Sequence, residues 1–322
     1  MKAVYIDQPG GPAALTYGER PTPTPAAGEV LVKIAYSGVN FIDTYHRSGL
    51  YKLPLPAILG SEAAGIVEQT GEGVTAFKPG DRVAYTLARG SYAEYHSVPA
   101  AQLVAVPAAI DLITAAASML QGMTAHYLTH STYVLKPGHT ALVHAAAGGA
   151  GRLIVQLAAM AGARVIATVG SEEKAKITLS DGASDAILYN TQDFAAEVKR
   201  LTDGKGVDVV YDSVGESTFL KGLDCLKPCG LMVSFGQASG PAPPVDPLLL
   251  SSKGSLYLTR PTLFTYIAKR EDLEWRAREM FAWIESGKLK IRIDKIYPMA
   301  EAAQSHRDIE GRKTTGKLIL QV

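Results

Sequence analysis

The stretch Val143-His-Ala-Ala-Ala-Gly-Gly-Ala-Gly151, followed by Leu153-Ile-Val-Gln-Leu-Ala158, decides the fold. It reads as the end of a buried strand, a turn of small residues and the start of an apolar helix. In the dinucleotide fingerprint G-x-G-x-x-G, small residues let the backbone approach a pyrophosphate, which then rests on the helix N-terminus. The three slots here are Ala146, Gly148 and Gly151. Alanine in the first slot departs from the pattern, but a second strand expected at 164–168 supplies the βαβ context that the motif requires. The stretch is therefore read as a dinucleotide site.

Strand and helix alternate on either side of it. Strands are expected at 140–144, 164–168, 186–189, 207–212, 231–235 and 255–258, separated by helical segments, which is the signature of a doubly wound parallel sheet. Upstream, to about Leu112, the apolar segments are short, alternating and bounded by Gly and Pro: 30–36, 64–67, 81–84 and 92–96. That pattern predicts a compact, partly open barrel or sandwich. Between the two regions, 113–120 and 124–128 carry helix formers before a Lys136-Pro-Gly138 stop. Downstream, a helix over 270–286, a short helical run over 300–309 and a final strand over 317–321 are expected, with this tail packing back on the first region.

Composition narrows the function classes. A chain of 322 residues, 47% hydrophobic and 20% charged, has room for about two folded domains and is not a disordered chain. A net charge of +1 gives no global field to recruit nucleic acid or an anionic membrane. Cys225 and Cys229 alone cannot build a disulfide framework, so a reducing, cytoplasmic location is expected. The opening residues meet Asp7 too soon for a signal-peptide core, and the most apolar stretch, 141–170, is interrupted by His144, Arg152, Gln156 and Arg164. No membrane span is expected there.

The end of the second strand discriminates between nucleotides, because an acid there binds the ribose hydroxyls of NAD. Thr168-Val-Gly170-Ser171 carries none, and Lys174 follows within a turn. Ser171, Lys174 and Tyr189 can together bind a 2′-phosphate, which favours NADPH. Glu172 and Glu173 in the same loop leave a ribose-binding alternative open. No Tyr is followed by Lys four positions on, and no G-x-S-x-G elbow exists. His126 and His130 have the i, i+4 spacing of a metal pair but no acidic or thiol companion, and no metal site is expected. What remains is Asn40-Phe-Ile-Asp-Thr-Tyr45-His-Arg-Ser-Gly-Leu-Tyr51, where Tyr45 and Tyr51 offer phenols to a carbonyl oxygen and rings to a flat substrate. A surface loop with aromatic anchors is the alternative reading.

As a set these residues resemble the zinc-free quinone oxidoreductase branch, the zeta-crystallin-like proteins, of the medium-chain dehydrogenase/reductase superfamily. The matching phrases run from Gly38-Val-Asn-Phe-Ile-Asp-Thr-Tyr45 through Gly60-Ser-Glu-Ala-Ala-Gly-Ile-Val67, the 144–149 turn, Tyr211-Asp-Ser-Val-Gly215 and Gly230-Leu-Met-Val-Ser-Phe-Gly236 to Gly254-Ser-Leu-Tyr257. The resemblance implies a GroES-like, mainly β catalytic domain (1–122 and 262–322), a Rossmann domain (123–261) and an active site in the cleft. It implies NADPH-dependent quinone reduction without zinc, since Ser61 stands where zinc-dependent relatives carry a ligand His, and it implies a homodimer joined through the Rossmann sheets. Carried over residue by residue, it places Asn40, Thr124, Gly148, Gly149, Ala150, Ser171, Lys174, Tyr189, Ser213, Val214, Phe235, Gly236, Arg260 and Arg312 near the cofactor. Tyr45 and Tyr51 then stand beside the substrate, with Asn40 counted among the catalytic residues.

Three residues depart from the pattern of the branch: Ala150, Arg152 and His46. Arg152 is expected to neutralise pyrophosphate or to be a solvated helix residue, and His46 to be a partly exposed loop residue or to tune the pocket or its proton supply. Quinones and other electrophilic carbonyls need neither a Lewis acid nor a strong general acid, so the lack of one is consistent. The rivals are an NADPH-dependent alkenal or enone double-bond reductase and, from another class, an RNA-binding or structural crystallin-like protein. The neutral charge argues against nucleic acid as the main ligand.

Overall fold

The structure, a computed structural model, describes residues 1–312 and 314–322, so the Lys313 position lies outside the description. The chain folds as two compact units, Met1–Met123 with Ile267–Val322, and Thr124–Tyr266. In the first unit, β1 (Lys2–Ile6) pairs with β2 (Thr16–Glu19) and later with β4 (Ala57–Ile58) in a small antiparallel sheet. The long β3 (Glu29–Val39) is followed by α1 (Phe41–Ser48), β5 (Glu62–Thr70), β6 (Arg82–Thr86), β7 (Tyr95–Pro99), β8 (Leu103–Ala105) and α2 (Leu112–Tyr127). Length lets β3 serve three partners. Its first half pairs with β7, its last residues pair with the C-terminal strand, and β5 runs along most of the other edge.

The second unit holds β9 (Thr140–Val143), α3 (Gly149–Met160), β10 (Arg164–Val169), α4 (Glu172–Ser180), β11 (Asp185–Leu188), α5 (Phe194–Leu201) and β12 (Val207–Asp212). It continues with α6 (Phe219–Leu223), β13 (Leu226–Ser234), α7 (Pro247–Ser252), β14 (Tyr257–Thr259) and α8 (Leu263–Tyr266). The six strands form one parallel sheet in the order β11-β10-β9-β12-β13-β14, so the order reverses between β9 and β12. Parallel strands covered on both faces need continuous apolar runs. Leu142, Ile166, Ile187, Val207, Val210 and Met232 meet in that core. The first unit is completed by α9 (Arg270–Glu285), β15 (Ile293–Pro298), α10 (Ala302–Glu310) and β16 (Lys317–Gln321), and β16 pairs antiparallel with β3.

Several expectations are corrected in detail. The 40–51 stretch is not a loop: α1 runs through it, because Asn40 and Asp43 form an N-terminal cap and Gly49, at φ 81°, closes the helix in the left-handed conformation. His46 is accordingly a half-buried helix residue rather than a loop residue. Glu172 and Glu173 lie in the first turn of α4, where acids favour the helix dipole, and not in a loop. The helical stretches 113–120 and 124–128 are one helix, α2, extended by a π-helical turn at Leu128–Thr132. Among the described residues no helix is long and apolar enough to cross a membrane.

Candidate functional site

In the second unit the loop after β9 is built by close backbone packing. Ala145 takes φ 49°, its carbonyl accepts the Gly148 N–H at 2.9 Å, and Gly148 is the N-terminal cap of α3. A side chain at Gly151 would lie 2.4 Å from the Ala145 oxygen, so only glycine lets the first turn of α3 sit on the loop. Ala146, buried, hangs from the Thr168 carbonyl of β10 at 3.2 Å, and Gly149 and Ala150 open the twelve-residue α3, where the first N–H groups of a helix have no acceptor within it. That is the geometry of an anion cradle.

The neighbouring strand ends extend it. Ser171 caps α4, its hydroxyl oxygen accepting the Lys174 N–H at 3.3 Å. A Cβ built on Gly170 would stand 2.8 Å from the Tyr189 hydroxyl, so the phenol lies directly over the end of β10. After β12, the buried Asp212 carboxylate accepts the N–H groups of Val214 at 2.7 Å and Gly215 at 3.1 Å and the Thr218 hydroxyl at 2.9 Å. It thereby sets the path of Ser213 and Val214. Its carbonyl accepts from Phe235 at 2.8 Å and Gly236 at 3.3 Å, and a Cβ on Gly236 would be 2.6 Å from the Ser213 oxygen. Thr124 is buried in α2, and Arg260 is exposed with one guanidinium nitrogen 3.3 Å from the Pro261 carbonyl.

Arg152 is not a solvated helix residue. It is buried and forms a two-point ion pair with Asp181, at 2.6 and 2.8 Å, tying α3 to the end of α4. His144, also buried, shares a hydrogen between Nδ1 and the Thr168 hydroxyl at 2.9 Å, and burial lowers its pKa. Its Nε2 has no protein partner.

In the first unit, Tyr45 on α1 and Tyr51 just beyond it stand edge to face with ring centres 5.3 Å apart, fixed by the Tyr51 N–H donating to the Tyr45 carbonyl at 3.1 Å. His46 packs on Tyr51 at 5.9 Å. Burial, and then the Arg89 charge, push its pKa down to about 4, so the imidazole is neutral at pH 7. Arg312 is exposed in this unit, with φ 55°.

Asn40 is only 2% exposed. Its amide nitrogen donates to Glu62 at 2.8 Å, and its oxygen accepts from Lys317 at 2.7 Å and Gln121 at 3.2 Å. Lys317 is ion-paired to Glu62 with both side chains excluded from solvent, and Glu62 also accepts the Leu120 N–H at 2.5 Å. Gly38 makes this possible, since a Cβ there would fall 2.1 Å from the Glu62 carboxylate. Ser61 donates to Asp43 at 2.6 Å. The sequence reading names Asn40 but misses its partners Glu62, Lys317 and Gln121, together with Asp43 and Asp212. The Asn40-x-x-Asp43 capping spacing and the Asp212-Ser-Val-Gly turn are visible signals for two members, whereas nothing at Lys317 marks its partner. Among the described residues no group of three or more His, Cys, Asp or Glu side chains is disposed to hold a metal, and the stacked His126 and His130 rings, 4.7 Å apart, have no such companions.

Comparison with known proteins agrees with the geometry of both units. Residues 26–108 match the alcohol dehydrogenase GroES-like domain family, and 182–320 match the family described as zinc-binding dehydrogenase. A quinone oxidoreductase of Pseudomonas aeruginosa is 49% identical over 321 residues, 99% of each chain. A 2-haloacrylate reductase of a Burkholderia species is 42% identical, over 99% of this chain and 98% of that one. A crystal structure of Escherichia coli quinone oxidoreductase complexed with NADPH superposes with a TM-score of 0.98 at 44% identity, covering all of both chains. With relatives this similar over its whole length, the chain belongs to the quinone oxidoreductase branch of the medium-chain dehydrogenase/reductase superfamily.

Proposed function

We propose that the protein is an NADPH-dependent, zinc-independent quinone oxidoreductase. The observation that carries the cofactor choice is at Gly170. An acid there, which would bind the ribose diol of NAD, is replaced by glycine, and a side chain at that position would have to displace the Tyr189 phenol, while the surrounding donors are Ser171, Lys174 and that phenol. The Escherichia coli relative crystallised with NADPH supports the same choice. NADPH, when bound, supplies a hydride. The cradle at 146–151 holds the pyrophosphate on the α3 N-terminus, while Asp212 fixes the Ser213 and Gly236 backbones that are proposed, with Val214 and Phe235, to flank the nicotinamide half. Asn40, Thr124, Arg260 and Arg312 complete the proposed cofactor contacts, with the Asn40 amide acting through its fixed orientation.

Tyr45 and Tyr51 hold a flat acceptor by stacking and by phenol donation to its oxygens. The domain limits 1–122 with 262–322, and 123–261, are part of the same proposal. So are a cytoplasmic location, which the two unpaired cysteines suit, and a homodimer. For the dimer, the supporting feature is the edge strand β14, where Tyr257 and Leu258 stand exposed, as do Leu248 of α7 and Phe264 of α8. Sedimentation at micromolar protein checks it, and a monomer rejects it.

The test follows reduced-cofactor absorbance with an ortho-quinone, a 2-alkenal or no acceptor. Oxidation of NADPH in preference to NADH with the quinone, and a raised NADPH KM in Lys174→Ala, are expected. Faster turnover of the alkenal than of any quinone would reassign the acceptor to an activated double bond.

A further inference from the structure

The helix that bears Tyr45 is held on its inward face by buried polar side chains. Asp43 and Arg47, four residues apart, share the inward face of α1 and are both buried. Arg47 places Nη1 3.1 Å from His306 Nδ1, His306 places Nε2 3.2 Å from the Tyr92 hydroxyl, and that hydroxyl donates to Asp43 at 3.1 Å. A guanidinium can only donate. His306 Nδ1 must therefore accept, which puts the imidazole proton on Nε2. That proton faces the Tyr92 oxygen and leaves the phenol hydrogen for Asp43. Every donor and acceptor direction in the chain is fixed by the arginine at its head.

We propose that Arg47, His306 and Tyr92 form a one-way hydrogen-bond relay that clamps Asp43, closing on α1 at both ends, and that these are positioning residues for the acceptor held by Tyr45 and Tyr51. The relay is anchored outside the helix. Arg47 is paired with Glu310 at 2.6 Å and donates to the Gly10 carbonyl at 3.1 Å, while His306 sits on α10. Asp43 receives two further donors, the Asn40 N–H at 2.9 Å and the Ser61 hydroxyl at 2.6 Å. The consequence for the site is local. The phenol ring of Tyr45 rides on the turn between Asp43 and Arg47, and its carbonyl holds the Tyr51 backbone. Loosening the inward face thus loosens both aromatic walls, while the loops of the second unit keep their own ties.

The kinetic arm rests on the quinone-reductase reading, and a second arm does not. In Tyr92→Phe, which keeps the ring and removes both relay bonds, the quinone KM rises roughly tenfold while kcat and the NADPH Kd stay within about twofold. Hydrogen exchange at 41–48 accelerates with no change elsewhere. His306→Leu behaves like Tyr92→Phe. His306→Gln, which again offers an acceptor to Arg47 and a donor to Tyr92, recovers most of the affinity and the protection, and the His306 pair carries the test should Tyr92→Phe fail to fold. An unchanged quinone KM with unchanged protection at 41–48 overturns the proposal, and so does equal loss of quinone and NADPH binding with faster exchange throughout. If the native protein binds NADPH but reduces no quinone, the functional reading fails by itself. Exchange at 41–48 then decides the relay, selective loss of protection supporting it and unchanged protection overturning it.

Discussion

At position 170 the proposed choice of nucleotide turns on one missing side chain. The Tyr189 hydroxyl fills the place where an acid would project, so Gly170→Asp alone sets a Cβ 2.8 Å from that oxygen and displaces the phenol. The single variant should bind both nucleotides poorly. Gly170→Asp combined with Tyr189→Ala makes room for a carboxylate that accepts from a ribose diol and repels a 2′-phosphate. Its ratio of NADPH to NADH kcat/KM should fall by about two orders of magnitude, in line with roughly 2–3 kcal/mol for one charge-assisted interaction lost and one gained. A ratio unchanged from the native protein would show that residues 170 and 189 do not select the nucleotide. At this scale the sequence is informative in one direction only. The absence of an acid after Thr168-Val169 and the presence of Ser171 and Lys174 are readable, but the phenol that stands over position 170 comes from Tyr189, nineteen positions away and just past the end of the next strand.

Elements are legible where one physical constraint dominates. The inner strands β9, β10, β12 and β13 announce themselves because both faces are covered and each must be apolar, and the 143–151 turn does so because only small residues pass. Strands β1, β2, β4, β8 and β15 escape because they are short or carry exposed polar positions, and their existence depends on partners far along the chain. Arg152 shows the same limit on a helix. A basic residue one position after the cradle glycine invites an electrostatic role, yet its partner Asp181 lies at the end of α4, and their side chains are only 10% and 6% exposed. Removing one member of such a pair leaves the other charge buried. Arg152→Met should therefore cost about 3–5 kcal/mol in urea unfolding, with the NADPH Kd changed less than about threefold at a temperature where the variant is folded. A large rise in Kd without loss of stability would return Arg152 to the pyrophosphate.

Across the whole molecule, buried neutral histidines make folding sensitive to acid. Burial pushes the pKa of His306 to about 3 and that of His96 to about 4, and His46, less buried, also falls to about 4. In the unfolded chain each would titrate near 6.5, so unfolding takes up protons throughout the interval between those values. Stability supplied by the neutral rings is complete above about pH 6.5 and is lost as pH falls toward 4. Asp43 acts with the opposite sign. Burial raises its pKa to about 6, so the folded form holds its proton more tightly, and this term grows as pH falls from about 6 toward 4, offsetting roughly one histidine. With these three and His144, lowered in the same direction by burial, against one carboxyl, the histidines win. Unfolding free energy should drop by on the order of 1.4 kcal/mol per pH unit for each net proton taken up. The variant that isolates one of these protons is His96→Gln, since His96 is tied to Tyr85 at 2.8 Å and takes no part in either proposed binding site. Its unfolding free energy between pH 6 and 5 should follow a slope shallower by about one proton than that of the native protein. A slope identical to the native one would mean that His96 is already protonated in the folded state and that burial does not hold it neutral.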